Sequence, residues 1–179
     1  MMKTNKVAAL GLLTALALVL SYVDRLVSLD FIAPGVRLGL ANTVLLFGIY
    51  MMRKRDAALL MVLKVLLASL LFGFTQFPYS LAGGILSLAA MLIGYRLKLS
   101  CVTVSILGGV MHNVGQVIMA AILTTSALLV TYLPVLIVFG VVMGLSTGLV
   151  AKYAMRALAH TDKELLKRLQ GTDILKAPK

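Results

Sequence analysis

The sequence predicts an all-α integral membrane protein with six transmembrane helices. Of its 179 residues, 61% are hydrophobic and 13% are charged, whereas about 25% of the residues in a typical soluble domain are charged. The apolar residues also fall into long runs that are separated by short polar islands. Roughly 20 apolar residues suffice to cross the hydrocarbon core, and a helix satisfies its own backbone polar groups there.

Six apolar runs fit this description, and together they nearly fill the chain. The predicted spans are Val7–Val27, Leu38–Met52, Ala57–Phe74, Tyr79–Tyr95, Val102–Thr124 and Tyr132–Ala154. We therefore expect one transmembrane domain over residues 1–155. The first run follows MMKTNK, as a signal peptide would, but no small-x-small cleavage site lies between it and Asp24. This pattern favours a retained helix.

The placement of positive charge predicts the orientation of these spans. The net charge is +11, and Lys and Arg collect in the cytoplasmic loops of membrane proteins. If the spans alternate in direction, all Lys and Arg except Arg25, Arg37 and Lys64 fall on one side. We therefore expect both termini in the cytoplasm, and we assign the basic charge to the membrane surface rather than to nucleic acid.

The second span is too short to cross the membrane alone. Its 15 residues make about 22 Å of helix, against a core of roughly 30 Å. The preceding segment, Ser28–Arg37, is expected to dip inward from the outer face and complete the crossing. Pro34 and Gly35 would supply the turn, which makes this segment a candidate lid over an outer site.

Small residues recur at four-residue spacing, which allows helices to approach closely. Gly140, Gly144 and Gly148 follow this spacing in the sixth span, and Gly11 and Ala15 do so in the first. The pattern fits ordinary packing within the chain, the reading that it favours, and also a docking face for another protein.

Residues 156–179 are predicted to form a cytoplasmic tail. Thr161 and Glu164 match a capping box, and the leucines and cations after them form a short amphipathic helix. We expect this helix to lie on the inner leaflet. The final residues, LKAPK, are expected to be disordered.

Several kinds of chemistry are excluded by composition. Cys101 is the only cysteine, so neither an internal disulfide nor a multi-cysteine metal site can form. The two histidines, His112 and His160, are placed too differently to hold a haem together, and no phosphate-loop motif occurs. Prenyl-chain elongation needs magnesium held by clustered carboxylates, whereas the acidic residues here are scattered. The chain is predicted not to be catalytic alone, and no cofactor or metal is predicted.

Lys64 lies near the middle of the third span. One interpretation is that its side chain snorkels to the cytoplasmic surface, although it lies about 10 Å of helix beyond Ala57. No acidic residue is expected deep within a span, so a Lys64 that stays inside either loses its proton or meets an anion from outside the protein. Ionisable groups at this depth typically mark a ligand or ion pathway.

The segment MHNVGQ places His112, Asn113 and Gln116 near the centre of the fifth span. His112 and Gln116 share a helix face, and Asn113 flanks Gln116. These side chains serve either as hydrogen-bonding glue between helices or as part of a polar site. Their number, together with Lys64, favours a site walled by helices.

Arg37 and Asn42 lie near the outer end of the second span. Arg37 is either an anchor at the membrane interface or a fork of donors for an acidic group. In the second reading Asn42 fixes the orientation of the ligand. With Lys64 and the fifth-span cluster, these residues predict a binding site for a small anionic or amphipathic molecule.

Five stretches of the chain together resemble a bacterial membrane family. They are PGVRLGLAN (Pro34–Asn42), LKVLLASLLFG (Leu63–Gly73), YSLAGGILS (Tyr79–Ser87), GGVMHNVGQ (Gly108–Gln116) and YLPVLIVFGVVMGLSTGL (Tyr132–Leu149). The family is labelled heptaprenyl diphosphate synthase component I, and it is also called the Gx transporter family. It is grouped with the substrate-binding S components of energy-coupling factor (ECF) transporters.

The resemblance implies an S-component-like protein of the bacterial plasma membrane, with its substrate site toward the outer face. The loop around Ala33–Arg37 would cap that site, and Gly11 and Ala15 would face a transmembrane coupling partner. The implied site residues are Arg37, Asn42, His112, Asn113 and Gln116.

The sequence therefore predicts a substrate-binding subunit for uptake of a small molecule. Its partners would be membrane lipids and separate coupling and ATPase subunits. The alternative is a non-catalytic membrane partner in isoprenoid diphosphate or quinone metabolism, or in a flavin-linked extracellular electron-transfer complex.

Overall fold

The computed structural model describes residues 3–26, 39–161 and 163–175, and all regular secondary structure in these ranges is helical. The helices are α1 (Lys3–Leu26), α2 (Asn42–Met51), α3 (Lys54–Phe72), α4 (Phe77–Arg96), α5 (Cys101–Thr124), α6 (Leu133–Thr161) and α7 (Lys163–Leu169). Short 3-10 segments, Phe74–Gln76 and Ala127–Tyr132, precede α4 and α6. The all-α class is confirmed, and each of the six predicted spans overlaps one of the helices α1 to α6.

Local sequence accounts for several helix ends. The side chain of Ser100 caps α5 by accepting a hydrogen bond of 3.0 Å from the backbone N–H of Thr103. Pro78 lies in the first turn of α4, where the helix has no use for the missing N–H. Gly73 ends α3 with a φ of +111°, a conformation that favours glycine.

Helix α5 packs against both α4 and α6 through glycines. A Cβ added at Gly144 of α6 would lie 2.6 Å from the Cα of Ile106 in α5. On the other side of α5, a Cβ at Gly115 would lie 2.7 Å from the backbone oxygen of Ala82 in α4. The glycine row of the sixth span is therefore used for packing within the chain, as its spacing favoured.

Helix α2 is short and central. Its ten residues make about 15 Å of helix, half the thickness of the hydrocarbon core. Val44, Leu45 and Leu46 are almost completely buried, so the helix is enclosed by its neighbours rather than by solvent or lipid. The shortness of this element is confirmed, whereas the predicted inward dip at Ser28–Arg37 lies outside the described residues.

The chain enters α2 through a turn at Gly39, whose φ is +75°. The backbone N–H of Asn42 donates to the oxygen of Gly39 at 2.9 Å, and that of Thr43 donates to the oxygen of Leu40 at 3.0 Å. Non-helical backbone at membrane depth is tolerated only where protein shields it. Here the buried Ala41 and Asn42 lie at the point where the helix begins.

The segment after α6 packs onto the bundle. Leu165 and Leu169 of α7, together with Ile174, belong to the buried hydrophobic core. The carboxylate of Asp173 accepts a hydrogen bond of 2.8 Å from the backbone N–H of Cys101 and forms a 3.1 Å ion pair with Lys152. Leu165 and Leu169 therefore face the bundle, and the position of this helix on the inner leaflet stays a prediction.

Four of the described helices are long and apolar enough to cross a membrane. They cover Val7–Leu26, Phe74–Arg96, Cys101–Thr124 and Leu128–His160. Helix α3 has 19 residues but contains Lys54, Arg55, Asp56 and Lys64, and α2 is too short. Large apolar side chains such as Leu12, Leu70 and Val150 lie on the outside of the bundle, as a membrane location requires.

Candidate functional site

Lys64 is buried in the middle of α3, with 9% of its surface exposed. Its Nζ donates a hydrogen bond of 3.1 Å to the side-chain oxygen of Asn42, the first residue of α2. The two side chains meet because α2 and α3 form a hairpin around Met52 and Arg53. Asn42 precedes that turn by ten residues and Lys64 follows it by eleven, which places both about 15 Å along their helices. Lys64 is therefore held inside the protein rather than reaching the surface.

Asn42 has donor capacity left over. It is 4% exposed, and its Nδ2 has no hydrogen-bond partner in the part of the chain that the structure describes. A buried amide hydrogen without an acceptor is unfavourable by about 1–3 kcal/mol. Such a group is a natural donor for a ligand oxygen.

Asp24 brings a carboxylate to the same region, which the sequence did not predict. It lies near the end of α1, is 3% exposed, and accepts a hydrogen bond of 3.1 Å from the backbone N–H of Leu40. Asp24 and Lys64 line the same cavity, so an acidic residue of the protein lies in the region of Lys64 although it is near the end of its helix. Asp24 lies near the end of the predicted first span, Val7–Val27, and the turn before the short α2 brings the backbone of Leu40 against it.

A small cavity lies among these groups. Its volume is about 20 Å³, and about 10–15 Å³ is enough for one water molecule. Its polar lining comes from four helices: Ser21, Asp24, Lys64, Ser80 and His112. The side chains of an aspartate, a lysine and a histidine thus share one water-sized space.

His112 is fixed at this cavity by the packing of α4 on α5. It is buried, and a Cβ added at Gly83 of α4 would lie 2.9 Å from both the Nδ1 and the Cε1 atoms of its ring. Glycine at position 83 therefore leaves the space that the imidazole fills.

Asn113 and Gln116 do not line this cavity. Asn113 is buried, and its Nδ2 donates a hydrogen bond of 2.8 Å to the backbone oxygen of Leu136 in α6. Asn113 therefore bonds one helix to another, which was one of the two interpretations of the fifth-span cluster. Gln116 is also buried in α5. Of the predicted site residues, the structure brings together Asn42, Lys64 and His112.

The remaining predicted residues fall into two groups. Arg37 and the predicted lid residues Pro34 and Gly35 lie outside the described residues. Gly11 and Ala15 are exposed on α1, and a Cβ added at Gly11 would have no atom within 4 Å.

Sequence reasoning missed Ser21 and Asp24, although a helical period was present. The buried face of α1 carries Leu10, Thr14, Ala17, Ser21 and Asp24 at alternating spacings of four and three. This spacing defines one face of a helix. A face made of small and polar residues on an otherwise apolar span indicates contact with protein rather than lipid.

Comparison with known proteins gives one match. A family model described as heptaprenyl diphosphate synthase component I matches residues 13–154. Comparisons with curated proteins and with solved structures return no match. The matched range includes the cavity residues from α1 to α5 and excludes α7.

Proposed function

Because the chain belongs to the heptaprenyl diphosphate synthase component I family, we propose that it is a non-catalytic membrane subunit that binds a small anionic or amphipathic molecule. The observation that carries this proposal is the buried Lys64, whose ammonium reaches Asn42 beside a cavity shared with Asp24 and His112. Ionisable groups inside a membrane bundle are unfavourable, and they usually mark a ligand or ion site.

The mode of action that we propose is that of an S component of an ECF transporter. The subunit captures its ligand from outside, and separate coupling and ATPase subunits supply the energy for release. The exposed Gly11 and Ala15 on α1 support a docking face for the coupling subunit, because small residues allow helices to approach closely. Arg37, Pro34 and Gly35 form the lid in this proposal.

The same proposal includes six membrane crossings with both termini in the cytoplasm. The distribution of Lys and Arg supports this orientation. In a Cys101→Ala background, Ser126→Cys should react with an impermeant maleimide added outside intact cells, and Lys98→Cys should react only after permeabilisation. The opposite labelling would overturn the orientation.

The binding function is tested by native mass spectrometry of the detergent-purified protein, followed by extraction and identification of bound small molecules. We expect a co-purified acidic molecule in the wild type, and we expect Lys64→Ala and Asn42→Ala to lose it. Lys167→Ala, which removes an exposed lysine of α7, is the matched control and should retain it. Equal retention in all four proteins would refute the site.

A second candidate function is that of an accessory subunit of a polyprenyl diphosphate synthase. The description of the family names a component of that enzyme, which agrees with the prediction that the chain is not catalytic alone. Under this hypothesis the protein recruits a soluble catalytic subunit to the membrane. Co-expression with such a synthase should give a stoichiometric complex with raised synthase activity, and a synthase that neither binds nor changes its rate would exclude this function.

A further inference from the structure

We propose that Asp24 is a built-in counter-ion of Lys64, and that an anionic oxygen group of the ligand displaces it from the shared cavity. This inference rests on the proposed binding function. It assigns the ligand to molecules with a carboxylate or phosphate group, and it gives Asp24 control over how tightly such a group binds.

The first argument is one of space. The cavity between Asp24, Lys64 and His112 has a volume of about 20 Å³, which holds one water molecule. A carboxylate or phosphate group is larger than that. An acidic group can therefore approach Lys64 only if one of the lining side chains gives up its position.

The second argument is electrostatic. Asp24 and Lys64 line the same cavity and are both buried. Opposite charges attract strongly in such surroundings, and a buried charge is stable only when it is compensated. An arriving anion would be repelled by Asp24 and attracted by Lys64, so Asp24 is the lining residue that it displaces.

The third argument comes from the hydrogen bonds that the ligand would inherit. Asp24 accepts the backbone N–H of Leu40 at 3.1 Å, and that N–H needs a new acceptor when the carboxylate moves. The Nδ2 of Asn42 has no partner in the described residues. Leu40 and Asn42 are chain neighbours of Gly39 and Ala41, which line the cavity, so we propose that the arriving anion accepts from them as well as from Lys64.

This exchange would also remove one bond between two elements, while the other contacts of α1 with α2 and α3 remain. The bond between Asp24 and Leu40 joins the end of α1 to the turn before α2. Once a ligand oxygen replaces Asp24, that bond no longer holds α1. Ligand binding is thus transmitted to the helix that carries the proposed docking face, Gly11 and Ala15.

The test compares Asp24→Asn with the wild type. The substitution removes the charge but keeps a side-chain oxygen that can accept from Leu40. Cys101 is the only cysteine and is fully buried, so a maleimide dye that reacts with it reports unfolding. Thermal unfolding is followed in detergent against sodium phosphate and, in a second series, sodium acetate, at constant ionic strength set with sodium chloride.

We expect Asp24→Asn to need about tenfold less anion than the wild type for half of the stabilisation. Asp56→Asn, which neutralises a buried carboxylate in the first turn of α3, should behave as the wild type does. Lys64→Ala should not respond to either anion. A stronger response to phosphate than to acetate assigns a phosphate ligand, and the reverse assigns a carboxylate.

Two other outcomes overturn different claims. If Asp24→Asn has the midpoint of the wild type while Lys64→Ala loses the response, Asp24 is only a structural acceptor and the binding function stands. If Lys64→Ala responds as the wild type does, or no protein responds, both the counter-ion role and the binding site fail. Asp24→Ser, which is also neutral, takes the place of Asp24→Asn if that variant does not fold.

Discussion

Asn113 shows how a single residue can be read in two ways from sequence. It lies next to His112, yet its side chain points across to α6 and donates to the oxygen of Leu136 at 2.8 Å. Consecutive residues of a helix differ in direction by about 100°. Neighbours in sequence therefore serve different surfaces, and only His112 reaches the cavity.

Asn113→Ala should lower stability without weakening ligand binding. The substitution removes a buried hydrogen bond between helices, which contributes about 0.6–1.7 kcal/mol in membrane proteins. The maleimide unfolding assay should show a lower midpoint temperature, and the anion midpoint should equal that of the wild type. A variant that unfolds normally but loses anion binding would place Asn113 in the site after all.

The same residue scale explains what the sequence could and could not predict about the site. Asn42 and Lys64 were predicted because polar groups inside apolar spans stand out from their surroundings. Asp24 was missed because it lies near the end of a span, and its depth depends on how the short α2 packs. The position of the Asp24 carboxylate is set by tertiary packing rather than by the local sequence pattern.

At the scale of elements, the small residues of the helices lie on two kinds of surface, one packed against another helix and one open. Gly144 of α6 touches backbone of α5, whereas Gly11 of α1 has open space around it. Both positions belong to small residues at four-residue spacing. The sequence pattern alone does not distinguish a glycine that packs within the chain from one that contacts a partner protein. Both roles require only a residue small enough to let another helix approach closely.

Gly144→Ala should therefore lower the stability of the protein, whereas Gly11→Ala should not. The added methyl at position 144 must push α5 and α6 apart, with a loss of about 1–3 kcal/mol and a lower unfolding midpoint. The same change at position 11 meets nothing and adds helix propensity, so stability should be unchanged or slightly raised. Equal unfolding midpoints for Gly144→Ala and Gly11→Ala would contradict the packing of α5 on α6.

Helix positions were predicted well, and the reason is physical. A long apolar run in a membrane has almost no alternative to the helix, so the predicted spans coincide closely with α3, α4 and α5. Boundaries were less accurate where a helix continues into polar sequence. Helix α6 runs to Thr161, beyond the predicted end at Ala154, and Met155 and Ala159 of these last turns are buried in the hydrophobic core.

At the scale of the whole molecule, the C-terminal segment closes one end of the bundle. Asp173 joins the start of α5 to Lys152 of α6, and Ile174 beside it is completely buried. The tail prediction treated these residues as separate from the transmembrane fold. The sequence did not predict what their apolar side chains pack against, because that apolar surface is formed by several helices together.

Asp173→Ala should loosen this closure. It removes the acceptor for the Cys101 N–H and leaves Lys152 without its ion-pair partner, changes that together amount to about 1–3 kcal/mol. Maleimide modification of Cys101 in the folded protein should therefore be faster, by about tenfold if the closure opens locally.

Lys167→Ala provides the control, since Lys167 is exposed on α7. It should leave the labelling rate unchanged. If Asp173→Ala reacts no faster than this control, the segment is held by its apolar contacts alone.

The burial of α2 has a consequence for how the protein is made. A ten-residue helix with almost no outward face cannot be kept in place by lipid, and its contacts include α6 and α7 at the far end of the chain. Those partners leave the ribosome after α2 does. The α2 segment must therefore wait in an unfinished bundle until α6 and α7 have been made, so its capture follows the synthesis of both helices.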